Sequence, residues 1–145
     1  LFEPNEFNLK FNSKQHFPGK RSNLLNIVNP FFFSLILQNL EKVSFLKKYS
    51  LDLYLHLRRK EDIDKDWIHQ DITDYSFLIY LNETNSNSGT YFYDEGQKNL
   101  IADIKYVQNR FVIFNSSYNH MGYGHFGTTS ENGRLTTNGF VTVDE

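Results

Sequence analysis

From Leu51 onward the chain is written almost entirely in period two. Leu51, Leu53, Leu55 and Leu57 alternate with Asp52, Tyr54, His56 and Arg58. Side chains in a strand point to opposite faces in turn, so this run predicts one greasy face and one polar face. The same texture recurs in short segments at Trp67 to Ile72, Phe77 to Leu81, Thr90 to Tyr93, Leu100 to Val107, Arg110 to Phe114 and Arg134 to Val143. Turn chemistry separates them, in Asn82 to Gly89 and again in Asp94-Glu95-Gly96. Asn115 to Gly127, which holds Gly122, Gly124 and Gly127, reads as a long loop. Arg58 to Asp66, crowded with both signs of charge, reads as a solvated loop.

The first third of the chain is different. Phe7 to Phe11 alternates and predicts a strand, and Gln15 to Ser22, with Pro18-Gly19, predicts a turn. Asn29-Pro30 is a helix start, because Asn caps free N–H groups and Pro fits the first helical position. Phe32, Ile36, Leu40 and Val43 follow at helical spacing, so a helix is expected from Pro30 to about Tyr49, with Phe31-Phe32-Phe33 packing it onto a sheet. One helix ahead of seven or so short strands predicts a mainly β fold. The expected form is a double-stranded β-helix, or jelly roll, with an N-terminal bracing helix. At 145 residues, positions 1–145 are expected to make a single domain.

Composition narrows the chemistry. The 14 Phe and 9 Tyr suit bulky packing between sheets. There is no cysteine, which removes disulfides, thiolate metal sites and Cys nucleophiles. Any metal must therefore take His or oxygen ligands. A net charge of -2 gives no general pull toward nucleic acid or an acidic membrane. No apolar run reaches spanning length and no secretory leader is visible, so a cytoplasmic setting is expected.

His69-Gln70-Asp71 carries the first chemical signal. In a strand, positions 69 and 71 share a face, which sets an imidazole nitrogen beside a carboxylate oxygen. Those are two ligands of a facial triad for a divalent metal, although an H-x-D taken alone is a common chance pair. A third ligand has to come from a distant strand, and His120 follows the apolar run Phe111 to Phe114. Arg134 and Thr136, at the head of the last strand, share a face. A planar guanidinium with a neighbouring hydroxyl suits a carboxylate, and a bound dicarboxylate would explain a cation kept near a metal.

This set of His69, Asp71, His120 and Arg134 resembles the Fe(II)/2-oxoglutarate-dependent oxygenases. The surroundings resemble the prolyl-4-hydroxylase-like members in particular. Ser76-Phe-Leu-Ile-Tyr-Leu-Asn82 followed by Ser88-Gly-Thr90 is similar to the "YLN…GG-x-T" stretch after their H-x-D. Phe114-Asn-Ser116 resembles the approach to their distal His, Arg134-Leu-Thr-Thr-Asn-Gly-Phe140 their closing strand, and Asn29-Pro30-Phe31 their N-terminal region. The resemblance covers Trp67 to Val143 well and the first 60 residues loosely. Ser88 stands where the first glycine of a pair is usual, a departure expected to matter little for chemistry. The interval between His120 and Arg134 is long, which makes His125 a rival distal ligand. The offset from Phe114-Asn-Ser116 favours His120.

The resemblance implies Fe(II) held by His69, Asp71 and His120, and 2-oxoglutarate as co-substrate with its far carboxylate on Arg134 and Thr136. It implies hydroxylation of a C–H bond in a peptidyl or small-molecule substrate, with succinate and CO2 as co-products. Tyr54, upstream of the H-x-D, and Tyr80, on a neighbouring strand, are candidate co-substrate contacts; packed or surface tyrosine is the simpler reading of each. Both metal histidines are expected to donate their other ring proton to an acceptor behind them. Trp67 is placed to wall the pocket, while His16 and His56 read as ordinary histidines. Two other functions fit the composition: a non-catalytic jelly-roll binding module, and a cupin-like metalloenzyme without 2-oxoglutarate. The first leaves the order of the metal-spaced residues unexplained. The second usually brings more histidines to its first metal motif than His69-Gln70-Asp71 offers.

Overall fold

The computed structural model describes residues 7–8, 19–62 and 66–144. Positions 9–11 of the expected first strand, His16 and Pro18 lie outside them. Among the described residues, nine strands and two helices follow in the order β1 (Phe7–Asn8), β2 (Lys20–Ser22), α1 (Leu25–Val28), α2 (Pro30–Leu40), β3 (Tyr49–Arg58), β4 (Tyr75–Tyr80), β5 (Asn85–Tyr93), β6 (Leu100–Tyr106), β7 (Phe111–Asn115), β8 (Asn119–Tyr123) and β9 (Arg134–Val143). They form two antiparallel sheets, one of six strands in the order β1-β2-β3-β9-β4-β7 and one of three in the order β6-β5-β8. This is the mainly β jelly roll with an N-terminal helical brace that the sequence predicts. Among the described residues no helix is long and apolar enough to cross a membrane.

The period-two run of β3 divides the molecule. Its odd positions Leu51, Leu53, Leu55 and Leu57 are all buried on the outer face of the large sheet. With Phe77, Leu135 and Val141 they pack against Leu25, Ile36, Leu40 and Leu46 from the helical layer. Each such leucine contributes about 1.5–3 kcal/mol by leaving water, so this layer anchors the helices firmly. Gly139 belongs to the same layer: a Cβ there would come within 2.1 Å of the Phe77 ring, so the ring lies directly across β9. The even positions of β3 point the other way, into the space between the sheets. There they meet Arg134, Thr136, Asn138 and Phe140 of β9, paired with them in register. A second core of Leu78, Tyr80 and Tyr106, flanked by Ile104, Val112, Phe114 and Phe126, joins the two sheets.

Several boundaries differ from expectation. Asn29 caps α2 as predicted, its Oδ1 accepting from the Phe32 N–H at 3.1 Å. The helix ends at Leu40 rather than Tyr49, because Tyr49 and Ser50 are taken into the ten-residue ladder that β3 makes with β9. Phe31 is 75% exposed and does not pack, whereas Phe32 and Phe33 do. Asn85 to Gly89, read as turn, opens β5, and residues 119–123, read as loop, form β8. Residues 67–72 are not a strand. They make a single bridge, in which His69 and His120 exchange backbone hydrogen bonds of 3.0 and 2.9 Å.

Candidate metal centre

That bridge brings two of the expected ligands together from opposite ends of the β region. Asp71 joins them because its N–H donates to the Ser116 carbonyl at the end of β7, at 2.9 Å. One ligand atom from each of His69, Asp71 and His120 lies within 4.8 Å of the others. The two Nε2 atoms face the carboxylate, His69 at 3.7 Å from Oδ1 and His120 at 3.4 Å from Oδ2. His125 is held elsewhere, its Nδ1 donating to the Asp62 carbonyl at 2.7 Å.

The surroundings prepare all three groups to bind a cation. His69 Nδ1 donates to the Trp67 carbonyl and His120 Nδ1 to the Tyr118 carbonyl, both at 2.9 Å. A carbonyl can only accept, so each neutral ring carries its proton on Nδ1 and turns a bare Nε2 lone pair to the centre. Burial and the neighbouring His120 push the His69 pKa down, which favours the neutral ligand form. For Asp71, burial pushes the pKa up, but at the acid pH where the carboxyl titrates the rings are protonated, and the hydrogen bond and charge of His120, the Ser76 hydroxyl and the charge of His69 outweigh burial and hold it below its ordinary value. Ser76 Oγ donates to Asp71 Oδ2 at 2.7 Å, and a hydroxyl chain continues from Ser76 to Ser116 at 2.8 Å and to Thr73 at 3.1 Å. Phe114 closes on the His120 ring at 4.8 Å between centroids, walling one side with apolar surface. Two neutral imidazoles and one carboxylate fit a divalent first-row metal such as Fe(II).

The centre lies between two spaces. An outer cleft of about 290 Å³ is lined by Tyr54, Trp67, His69, Gln70, Asp71 and Phe140, among others. An inner cavity of about 40 Å³ runs behind His69, Asp71 and His120 to Arg58, Gly122 and Arg134. Arg134 is fully buried; its Nε donates to Ser88 Oγ at 3.1 Å and its Nη2 to the Gly89 carbonyl at 2.8 Å. Ser88 orients the guanidinium, and it donates to the Tyr123 carbonyl at 2.8 Å. Thr136 is buried behind the cavity and gives its hydroxyl to Asn138 Oδ1 at 2.6 Å, so Asn138 is the residue that reaches the lining. Tyr80 is committed to the core between the sheets, its hydroxyl paired with Thr90 Oγ1 at 2.8 Å and its ring against Tyr106 at 4.7 Å. Tyr54 faces the outer cleft. It lies four residues along β3 from Arg58, the cross-strand partner of Arg134, roughly 13 Å at strand rise.

Solved structures are similar in fold. IDO from Bacillus thuringiensis superposes with a TM-score of 0.60 at 16% identity, covering 95% of this chain and 66% of that one. The chain has the fold of IDO. The chain thus spans 66% of the length of that protein. Two weaker likenesses are to the viral collagen prolyl hydroxylase vCPH from Paramecium bursaria Chlorella virus-1 and to hydroxypropylphosphonic acid epoxidase from S. wedmorenis. For vCPH the TM-score is 0.48 at 12% identity, over 82% of this chain and 70% of that chain. For the epoxidase it is 0.41 at 13% identity, over 64% and 44%. No protein-family model matches the sequence, and no curated protein does.

Some residues of the interior carry no sequence signal that singles them out. Arg21 on β2 pairs across to His56 on β3, donates from Nε to His56 Nε2, and stacks its guanidinium over the Tyr54 ring at 4.6 Å. His56 is buried rather than an ordinary surface or half-buried histidine; burial and then the charge of Arg21 drive its pKa well below the usual value, so it is neutral. Arg58, read as part of a solvated loop, is buried and ion-paired to Asp66 at 3.1 Å. The alternation of β3 does point His56 and Arg58 to the polar face, but nothing in the sequence says that this face is enclosed.

Proposed function

We propose that residues 1–145 form a single Fe(II)- and 2-oxoglutarate-dependent oxygenase domain that hydroxylates a C–H bond of a peptidyl or small-molecule substrate. The observation that carries this reading is the convergence of His69, Asp71 and His120 at the mouth of a cavity whose far end is lined by buried arginine. In this reading His69, Asp71 and His120 hold the metal, and Arg134 takes the far carboxylate of 2-oxoglutarate. Fe(II), with 2-oxoglutarate and dioxygen, supplies the oxidising chemistry, and succinate and CO2 are the co-products.

The chain's own part is binding, orientation and exclusion of water. Ser76 fixes the Asp71 carboxylate, and the Trp67 and Tyr118 carbonyls fix the tautomers of the two imidazoles. Ser88 and the Gly89 carbonyl hold the Arg134 guanidinium at the end of the cavity. Asn138, with Thr136 behind it, adds a polar wall. The outer cleft, open beside His69 and Asp71 and flanked by Trp67 and Tyr54, is the place for substrate. No nucleic acid partner is part of this reading.

The test is succinate formation from 2-oxoglutarate by the purified chain with Fe(II), ascorbate and dioxygen. Asp71→Ala is expected to reduce it to the metal-free background. Turnover unchanged in that variant would remove Asp71, and the reading with it.

A further inference from the structure

The inner cavity ends at two cations, not one. Arg58 and Arg134 are direct partners across β3 and β9, and both line the cavity. Gly122 marks where they converge. A side-chain carbon built on Gly122 would lie 2.8 Å from Arg58 Nη1, 3.0 Å from Arg134 Nη2 and 2.6 Å from Asp66 Oδ2. Two guanidinium groups and a carboxylate thus crowd one small volume, and β8 leaves it open by having glycine there. Both members of the Arg58–Asp66 pair are nearly inaccessible, with side chains 8% and 5% exposed.

Among the described residues this cluster is not balanced. One carboxylate, Asp66, shares that volume with the two buried guanidinium groups; Asp62 acts on Arg58 from farther off and is itself paired with Arg59, and Asp71 belongs to the candidate metal centre. Buried charges that lack partners cost several kcal/mol, so such an excess calls for a further anion. The pair is also incompletely satisfied: among the described residues, Arg58 Nε and Asp66 Oδ2 are both buried with no hydrogen-bond partner. Buried polar groups are nearly always partnered, and a pair of orphans on one ion pair is a sign of something displaced or awaited. The cavity, about 40 Å³, has room for roughly three waters at the ~10–15 Å³ each requires, so a five-carbon diacid needs space from its walls.

We propose that Arg58 is a second cation of the co-substrate pocket: Arg58 and Arg134 together seat the far carboxylate of the diacid, and Asp66 neutralises Arg58 until the diacid arrives. The inference rests on the oxygenase reading and adds to it a residue and an order of events. Asp66 yields its contact, the incoming carboxylate takes its place between the two forks, and the shift opens the cavity end. Asp66 is three residues ahead of His69, so its release adjusts the segment that carries the first metal ligand.

Calorimetric titration of 2-oxoglutarate into the full chain loaded with Mn(II) tests this without turnover. Arg58→Met is expected to weaken diacid binding at least tenfold and to leave Mn(II) affinity unchanged. 2-Oxopentanoate, which has the same chain without the far carboxylate, should bind the variant and the wild type alike. Asp66→Asn is expected to tighten diacid binding several-fold, because a competing anion is gone. It also serves if Arg58→Met does not fold, with the diacid-induced rise in melting temperature as a second readout. Diacid binding unchanged in Arg58→Met, or unchanged or weakened in Asp66→Asn, overturns the proposal while the oxygenase reading stands. A wild-type chain that binds Mn(II) but takes no 2-oxoglutarate overturns the reading itself, and the role of Arg58 with it.

Discussion

At the scale of single residues, the candidate centre is held by groups that never touch the metal. Ser76 is the clearest: its hydroxyl donates to the Asp71 oxygen nearest His120 and links it through Ser116 to Thr73. Losing a partner behind a ligand typically costs 10–100-fold in metal affinity. Ser76→Ala is expected to lower Mn(II) or Fe(II) affinity by about that factor while leaving the circular dichroism spectrum unchanged. Competition titration against a chelator measures it, and an unchanged affinity would show that the Ser76 bond is incidental. The sequence showed Ser76 and Ser116 only as letters in a familiar stretch. The structure supplies their physical reason, since they tie the short segment bearing Asp71 to the end of β7.

At the scale of elements, helix and sheet serve separate tasks, and the cap of α2 separates them experimentally. Asn29→Ala removes the Oδ1 that accepts from Phe32 and should cost about 1 kcal/mol. In a chain of this size that is a fall of about 3 °C in melting temperature. Metal affinity should not change, because α2 packs on the outer face of the large sheet, away from the centre. A parallel loss of metal binding in a titration of that variant would show that the two layers are coupled.

The elements also show which parts of the chain could be read in advance. β3 and β9 were legible because their periodicity and their burial agree: one face meets the helices and the other lines the interior. β8 was not, because Asn119-His-Met-Gly-Tyr123 has no apolar alternation. It is a strand through backbone pairing with β5, helped by Asn119 Nδ2 donating to the Asp94 carbonyl at 2.9 Å. Residues 67–72 failed in the opposite sense. His69 and Asp71 converge as a strand would make them, yet the cause is one bridge and one bond to Ser116. Arg58 was hidden by its charged neighbours, and its partner Asp66 sits across a stretch whose sequence gives no sign of folding back.

For the molecule as a whole, the notable property is a polar interior inside a well-packed shell. Arg21, His56, Arg58 and Arg134 share the space between the sheets, and burial, with a further push from a neighbouring arginine, lowers the pKa of Arg21 and Arg58 to about 10 despite nearby anions. His56 sets the response to acid. Its folded pKa lies well below 6.5, so as pH falls through 6.5 the unfolded chain takes up a proton that the folded chain refuses. Stability is therefore full above that pH and falls below it, by up to about 1.4 kcal/mol per pH unit for each such proton, until the folded pKa is reached. His69, also lowered, adds in the same direction, and depressed Asp71 adds a further loss at lower pH. Melting temperature measured in chelator should drop between pH 7.5 and 5.5. His56→Gln, which keeps an acceptor for Arg21, should flatten that drop; a slope identical to the wild type would assign it to other groups.

The strand that carries His120 is an edge of the small sheet. β5 holds it on one side, and on the other, among the described residues, the paired bonds to His69 reach across. Fraying of that seam parts the two rings of the candidate centre in a single motion. On the proposed metal-binding reading, escape of the ion and peeling of the edge are one event, so the rate at which a chelator strips the metal-loaded chain should match the rate at which the amide protons of residues 69 and 120 trade with deuterium at a pH where opening limits the exchange.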